Sequence, residues 1–522
     1  MARITQEQKY QRRWWTLGVL SLSLVIIGLD NTILNVAIPT LQSELSASAS
    51  ELQWMVDSYV LVFAGLLLTM GAVGDRFGRA RMLFAGLTVF GLASVYAAFT
   101  LTAGELIVAR AVMGVGGAMI MPATLSIITD VFPREERGRA IGIWAAVAGM
   151  GIGLGPIVGG LLLENFFWGS VFLVNVPIVV TALILGYFLV PASRDPEATP
   201  LDIKGAFTSL VGVTALVFAI IEGPAEGWTS PVVLSAFVVA VVFLVAFMVI
   251  ERRTTHPMLN LDYFRNPRFS GGATAISIAF FALFGVIFLL TQYLQFVLGY
   301  TALEAGVRTA PVALGIVIGS ATAPRLAERL GATKVVAFGL FVLAATLVSF
   351  TFLGVATGYA VIGISLVAMS YGMGNVMAPS TDAVMGAVPV AKGGVASATN
   401  DVTRQIAGAL GVAVIGSVFN SAYQTNMEPA VALLPAEAGE LASNSIGAAL
   451  AVASRLPAEA GAALTAAARE GFVDAMGSAI WIPVAIATIG AFLVIRFFPP
   501  HHLAPAAEPG AVDEGASNEV TP

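Results

Sequence analysis

Five ionisable side chains stand inside runs that are otherwise apolar enough to cross a lipid bilayer: Asp30, Asp57, Arg110, Asp382 and Asp401. A charge at the centre of such a helix costs ~2.5–3.5 kcal/mol, so it survives only with a partner or a task. The tasks open to a buried carboxylate are to take up and release a proton or to hold a cation. Desolvation tightens its grip on a proton and a nearby positive charge loosens it. Arg110 is read as the one arginine deep in the N-terminal half, so it is the expected partner of an acid. Asp30, one residue before Asn31 and five before Asn35, is expected to face a central cavity. Asp57 falls within two turns of an outer end, and Asp382 and Asp401 lie toward the inner side. The alternative for each is a structural pair or a place at the water interface. Arg308, one turn after Glu304, reads as such a structural pair.

Two further patterns carry information. Gly71-Ala-Val-Gly-Asp-Arg-Phe-Gly-Arg-Ala-Arg81 is a charged turn between the apolar runs 52–73 and 82–100. Asp75, Arg76, Arg79 and Arg81 cannot lie in hydrocarbon, so the turn marks a membrane surface. In Gly151-xxx-Gly155-Pro156-xx-Gly159-Gly160, small residues follow one helix face and permit close backbone approach. The proline in that run invites a kink. Other chemistries lack their residues. No cysteine is present, which removes thiolate metal sites, disulfides and cysteine nucleophiles. The three histidines, His256, His501 and His502, fall in a loop and the tail. Gly114, Gly116 and Gly117 follow no strand, and no phosphate-binding Gly-x-x-x-x-Gly-Lys-Ser/Thr occurs, so neither a dinucleotide nor ATP is expected.

The elements that must position these groups are membrane spans. Apolar residues make up 57% of the chain and charged residues 11%, with a mean hydropathy of +0.87. Soluble domains average about 25% charged residues. A span needs about 20 apolar residues to cross a ~30 Å core. Candidates lie near 14–38, 52–73, 82–100, 104–128, 138–162, 168–190 and 205–221, then 231–250, 270–294, 305–323, 334–353, 359–387, 398–421 and 475–497. That makes fourteen. Arg110 and Arg308 are assigned to span interiors and Arg455 and Arg469 to an outer loop. The other Lys and Arg residues are placed in alternate, cytoplasmic loops or at the cytoplasmic ends of spans, which puts both termini inside. The first span is too long for a removable signal peptide and has no small-residue cleavage site. The net charge of −6 gives no partner by itself. Glutamates gathered in the outer loops would mildly concentrate cations there.

A weak repeat lays Glu328-Arg-Leu-Gly-Ala-Thr-Lys334 over Asp75-Arg-Phe-Gly-Arg-Ala-Arg81, predicting parallel halves about an axis along the membrane normal. The expected organisation is a six-helix bundle at 14–190, two additional helices at 201–252, and a second six-helix bundle at 269–497. Polar linkers at 192–202 and 252–269 flank the extra pair. Leu434-Pro-Ala-Glu-Ala-Gly439 and Leu456-Pro-Ala-Glu-Ala-Gly461 each open a short helix, giving an outer helical hairpin at about 423–473. The tail 498–522 is Pro/Ala/Glu-rich and is expected to be disordered and cytoplasmic.

These segments resemble one known family. The turn at 71–81 is similar to the signature between the second and third helices of the major facilitator superfamily. Leu29-Asp-Asn-Thr-Ile-Leu-Asn-Val-Ala-Ile-Pro39 resembles the first-helix motif of its 14-helix drug:proton antiporters. Gly151, Gly155, Pro156, Gly159 and Gly160 resemble the motif that marks antiporters. Ile107-Val-Ala-Arg-Ala-Val-Met-Gly-Val-Gly-Gly-Ala118 is similar to the fourth-helix arginine motif. Gln53-Trp-Met-Val-Asp-Ser-Tyr59, Phe172-Leu-Val-Asn-Val-Pro177 and Gly393-Gly-Val-Ala-Ser397 with Arg404, Gln405 and Gly408 also fit. Trp168-Gly169-Ser170 departs from the Trp-Arg-Trp usual in relatives, which puts that loop's usual role in doubt.

The resemblance implies an all-α polytopic fold with two six-helix bundles plus two intervening helices. It implies that Asp75, with Arg76, Gly78 and Arg79, forms a cytoplasmic gate against the positive end of a helix from the other half. It also implies that Asp401 handles a proton or substrate. The expected function is a proton-coupled antiporter, not an enzyme, that exports lipophilic cationic drugs by alternating access across a bacterial cytoplasmic membrane. The proton gradient replaces any cofactor. The partners are small substrates, protons and the bilayer, with no nucleic acid, and the protein is expected to act as a monomer. A dedicated exporter of one endogenous antibiotic or metabolite is the alternative, and a metabolite symporter a weaker one.

Overall fold

The computed structural model describes residues 6–498 apart from 46, 48, 194–201, 256, 258, 390, 391 and 433. The expected tail from 499 onward and most of the first linker lie outside the described residues. The first half runs α1 (Gln6–Glu44), α2 (Ala49–Phe77), α3 (Arg79–Ala98), α4 (Ala103–Val131), α5 (Arg134–Asn165), the short α6 (Ser170–Leu173) and α7 (Asn175–Leu189). Two helices follow, α8 (Ile203–Glu226) and α9 (Pro231–Arg253). The second half runs α10 (Pro267–Gln292), α11 (Ala302–Thr309), α12 (Pro311–Leu330), α13 (Ala332–Phe350), α14 (Tyr359–Gly386), α15 (Gly393–Val431), α16 (Ala436–Asn444), α17 (Ile446–Ala453) and α18 (Ala458–Phe497). Among the described residues, thirteen segments are long and apolar enough to cross a membrane. The 32-residue α5, uncharged from Ala140 to Leu163, adds a fourteenth by length.

Local sequence sets the ends of these helices. Thr102 accepts the Glu105 N–H at 3.3 Å and Glu105 accepts that of Leu101 at 2.8 Å, which satisfies two donors that α4 would otherwise leave bare. Ser230 and Asn266 cap α9 and α10 ahead of a proline. Thr301 and Glu304 close a reciprocal capping box on α11. Gly78 turns α2 into α3 at φ 116, and Gly331 turns α12 into α13 at φ 87. Both backbones are ones that only glycine adopts easily, and they fall at matching places in the repeat.

Packing repeats as the turns do. α1 lies on α5 as α10 lies on α15, and α2 and α3 lie on α4 as α12 and α13 lie on α14. The halves then meet by exchange, α5 against α12 and α2 against α15. Small residues set these distances. A Cβ on Gly151 would sit 3.1 Å from the Cα of Gly28, and one on Gly142 would sit 2.6 Å from the Ser320 carbonyl of the other half. Of the extra pair, α8 packs on α2 and α15, and Trp228 donates to the Ser417 hydroxyl at 3.1 Å.

One expectation changes at the end of the chain. The first Pro-Ala-Glu opens the nine-residue α16, but the second opens α18, a continuous 40-residue helix that includes the last span. α15 likewise continues to Val431. In place of the expected hairpin at 423–473, two extended span helices are joined by α16 and α17. α16 packs on α15 and α17, α17 packs on α18, and α18 meets the π-helical turn Tyr293–Val297, all in the second half. Alanine-rich sequence explains the continuity, since nothing after Pro457 interrupts the helix until Pro483, which the membrane helix absorbs.

Candidate functional site

The candidate residues fall into two clusters, one inside the first half and one on the seam between halves. Asp30 is fully buried on α1 and pairs with Arg110 of α4 at 2.5 Å. The Arg110 Nε donates to the Met55 carbonyl at 3.0 Å and its guanidinium lies 4.5 Å from the Tyr59 ring centre. Asn175 donates to the other Asp30 oxygen at 3.5 Å and to Ser94 at 3.4 Å. Tyr59 and Asn175 were legible only as members of motifs, with no charge to single them out. Asp30 therefore does not face an open cavity in this structure, because α4 presents a guanidinium that fills its hydrogen-bonding front. Asp57, on α2, is half-buried.

Asp75 lies on the seam, on the arginine-rich side. It is 3% exposed and accepts from Arg79 Nε at 2.9 Å and Nη2 at 2.8 Å. Its two oxygens also receive the Gly394 N–H at 2.9 Å, and Oδ2 receives that of Val395 at 3.2 Å. Those amides open the 39-residue α15, so the carboxylate closes the positive end of a helix from the opposite half. Arg79 also reaches the Ser126 carbonyl and the Ser193 hydroxyl. The fit needs glycine on both sides, since a Cβ on Gly71 would come 2.5 Å from the Gly394 carbonyl. Arg76 is half-buried, with its guanidinium 5.4 Å from the Phe77 ring centre. Apolar packing continues across this end: Val384 and Met385 of α14 and Val395, Ala396 and Ala398 of α15 belong to the first half's apolar cluster. Asp382 of α14 acts electrostatically on Arg137 of α5, whose Nη2 donates to the Thr129 carbonyl at 2.7 Å. The aligned Glu328 is exposed, so the two turns share a backbone but not a latch.

Asp401 brings a correction. Arg404, expected at a cytoplasmic end, lies three turns into α15, 5% exposed, and pairs with Asp401 at 3.3 Å. An arginine three residues after an acid in an apolar run was the available signal. Its Nη2 donates to Thr381 at 2.8 Å. Arg308 stands where the sequence put it, 3.9 Å from Glu304 and stacked 3.8 Å from the Tyr300 ring centre.

The glycine motif faces α1. A Cβ on Gly155 would strike the Thr32 hydroxyl and lie 3.0 Å from the Leu29 carbonyl, and one on Gly159 would lie 2.8 Å from Ile33. Gly160 is buried on the same helix as Pro156. Gly169 lets its turn rest on the Ala98 backbone, so the departure from Trp-Arg-Trp coincides with a close approach.

These positions match a known pattern. The family model described as Major Facilitator Superfamily matches residues 20–412. The chain belongs to the major facilitator superfamily. It is thus a transporter rather than an enzyme, and a many-span protein of a cell membrane. Within the superfamily it is 38% identical to the multidrug efflux pump LfrA of Mycolicibacterium smegmatis, over 88% of this chain and 91% of that one. It is 34% identical to the methyl viologen resistance protein SmvA of Salmonella typhimurium, covering 93% and 97%. It is 35% identical to the methylenomycin A resistance protein of Streptomyces coelicolor, covering 80% and 87%. Among solved structures, the human organic anion transporter MFSD10 superposes with a TM-score of 0.59 at 13% identity, covering 91% of this chain and 99% of that one, a likeness of fold alone.

Proposed function

We propose that this superfamily member exports lipophilic drugs, cations among them, in exchange for protons, by alternating access of two six-helix bundles. The reading places it in a bacterial cytoplasmic membrane with both termini inside, acting as a monomer with the proton gradient as its energy source. Drug resistance and efflux in the named relatives support the cargo class. The observation that carries the mechanism is the Asp75 latch, a buried carboxylate held jointly by Arg79 of its own half and the first amides of α15 in the other. Such a contact can seal one face only while the halves are tilted together there, and it must break when they tilt apart. The electrostatic pull of Asp382 on Arg137 adds a second attraction across the same end.

Carboxylates supply the coupling in this reading. A cation and a proton compete for the same negative charge, and that competition ties one flux to the other. Asp57, half-buried on α2, and Asp401, with one oxygen unbonded, take this role, while Asp30, bonded at both oxygens by Arg110 and Asn175, keeps the first half's polar interior neutral. Energised cells expressing the protein should expel ethidium, and a protonophore should abolish the expulsion. Export that survives the protonophore would refute proton coupling. A dedicated exporter of one antibiotic is the second reading, favoured by the relative named for methylenomycin A. Resistance to a single compound in a broad drug panel would select it.

A further inference from the structure

Arg404 stands apart from the Asp75 latch, beside Asp401 and between the two halves. Its guanidinium carbon lies 5.1 Å from the ring centre of Trp144 on α5 and 5.3 Å from that of Phe280 on α10, so one aromatic wall comes from each half. Trp144 is fully buried and its indole N–H is held by Thr124 at 3.2 Å. Phe280 packs against both apolar clusters. Asp401 provides the negative charge and Thr381 an acceptor. Two aromatic faces and a carboxylate around a cation are the chemistry that recognises lipophilic ammonium, phosphonium and pyridinium ions.

The surroundings are polar and incompletely bonded. Ser397, Asn400, Asp401 and Arg404 recur at helical spacing and share one face of α15. Both amide atoms of Asn400, one Asp401 oxygen, the Arg404 Nε and the Ser380 hydroxyl are buried without a hydrogen-bond partner. Asn400 is 1% exposed and Ser380 fully buried. Bare polar atoms at membrane depth are costly and are kept where something polar visits them.

We propose that Arg404 is a resident cation in a substrate subsite, and that it sets which charge the protein prefers to carry. The inference rests on the drug-export reading. While Arg404 holds the cage, it neutralises Asp401 and penalises an incoming cation. A cationic substrate enters by displacing the guanidinium from between Trp144 and Phe280, which loosens a contact between the two halves. An uncharged drug meets no such competition. The electrostatic penalty scales with the charge of the ligand, because Coulomb energy is a product of charges.

The test is equilibrium binding to the full-length protein in detergent, using tetraphenylphosphonium with one charge, methyl viologen with two, and uncharged chloramphenicol. Arg404→Gln should tighten the monocation about 5-fold and the dication about 25-fold, the square of the first, and leave chloramphenicol unchanged. Arg404→Lys, which keeps the charge, should stay near wild type and shows that the site tolerates replacement. Equal shifts for all three ligands, or none, would overturn the proposal while leaving the export reading intact. Wild-type and Arg404→Gln proteins that both bind none of the three ligands overturn the proposal together with the multidrug reading on which it rests.

Discussion

A buried ion pair is a commitment at the scale of single residues. Removing one member leaves an uncompensated charge, at a cost of about 3–5 kcal/mol, whereas removing both can be nearly neutral. Asp30→Asn should therefore lower thermal stability in detergent, and so should Arg110→Gln. The double variant should regain most of the loss without regaining transport. A double variant less stable than both singles would show that the pair is not an isolated unit. Asp75→Asn keeps the shape of the side chain but gives up its charge against Arg79 and the α15 amides. It should fold, insert and lose most efflux, and normal efflux from well-expressed protein would remove the latch from the mechanism. The sequence made Asp30, Arg110 and Asp401 visible because each is a charge in an apolar run. It did not show which acid meets which base. For Asp30 and Arg110 the pairing depends on how α1 and α4 pack, and period and composition do not specify that. Arg404 is close in sequence to a cytoplasmic loop yet lies deep in α15, and closeness along the chain does not report that depth.

At the scale of elements, α5 carries two glycine-lined faces with different partners. Gly151, Gly155 and Gly159 admit α1, while Gly142 and Gly149 admit α12 of the other half. The sequence motif indicated close approach but not against which helix. Gly155→Leu should wedge α1 from α5 within one bundle, and the expected result is loss of efflux or a proton leak at normal expression. Unchanged efflux and no leak would reduce the motif to packing. The outer excursion was legible as helical but not as continuous with the spans. Ala442, Ile446 and Ala449 of α16 and α17 are buried in the second half's apolar cluster. Deleting 429–470 should therefore keep the topology yet reduce thermal stability, and an unchanged melting temperature would show that the excursion is only docked at the surface.

At the scale of the whole molecule, the helix count and the two-fold repeat came directly from apolar run length and from the Gly78 and Gly331 turns. The asymmetry between a latched first turn and an open second one did not, because it depends on what lies opposite. The lengths of α15 and α18 have a mechanical consequence. At 1.5 Å per residue these helices are about 60 Å long, roughly twice the hydrocarbon thickness. In the alternating-access reading proposed above, the ends that α16 and α17 join form a stiff boom fixed to one of two rocking bodies. A boom about 20 Å long that tilts by about 15°, the scale of known subunit rotations, sweeps its tip through about 5 Å. The chain has no cysteine, so labels on Glu440→Cys at the boom and Glu164→Cys on the first half would be unique. Their separation should shift between two populations when substrate or protons are added, and one distance under every condition would mean that the boom does not move with the gate. The boom thus serves as the needle of a gauge, converting sub-helical rearrangements at a buried carboxylate into displacements that can be read from outside the membrane.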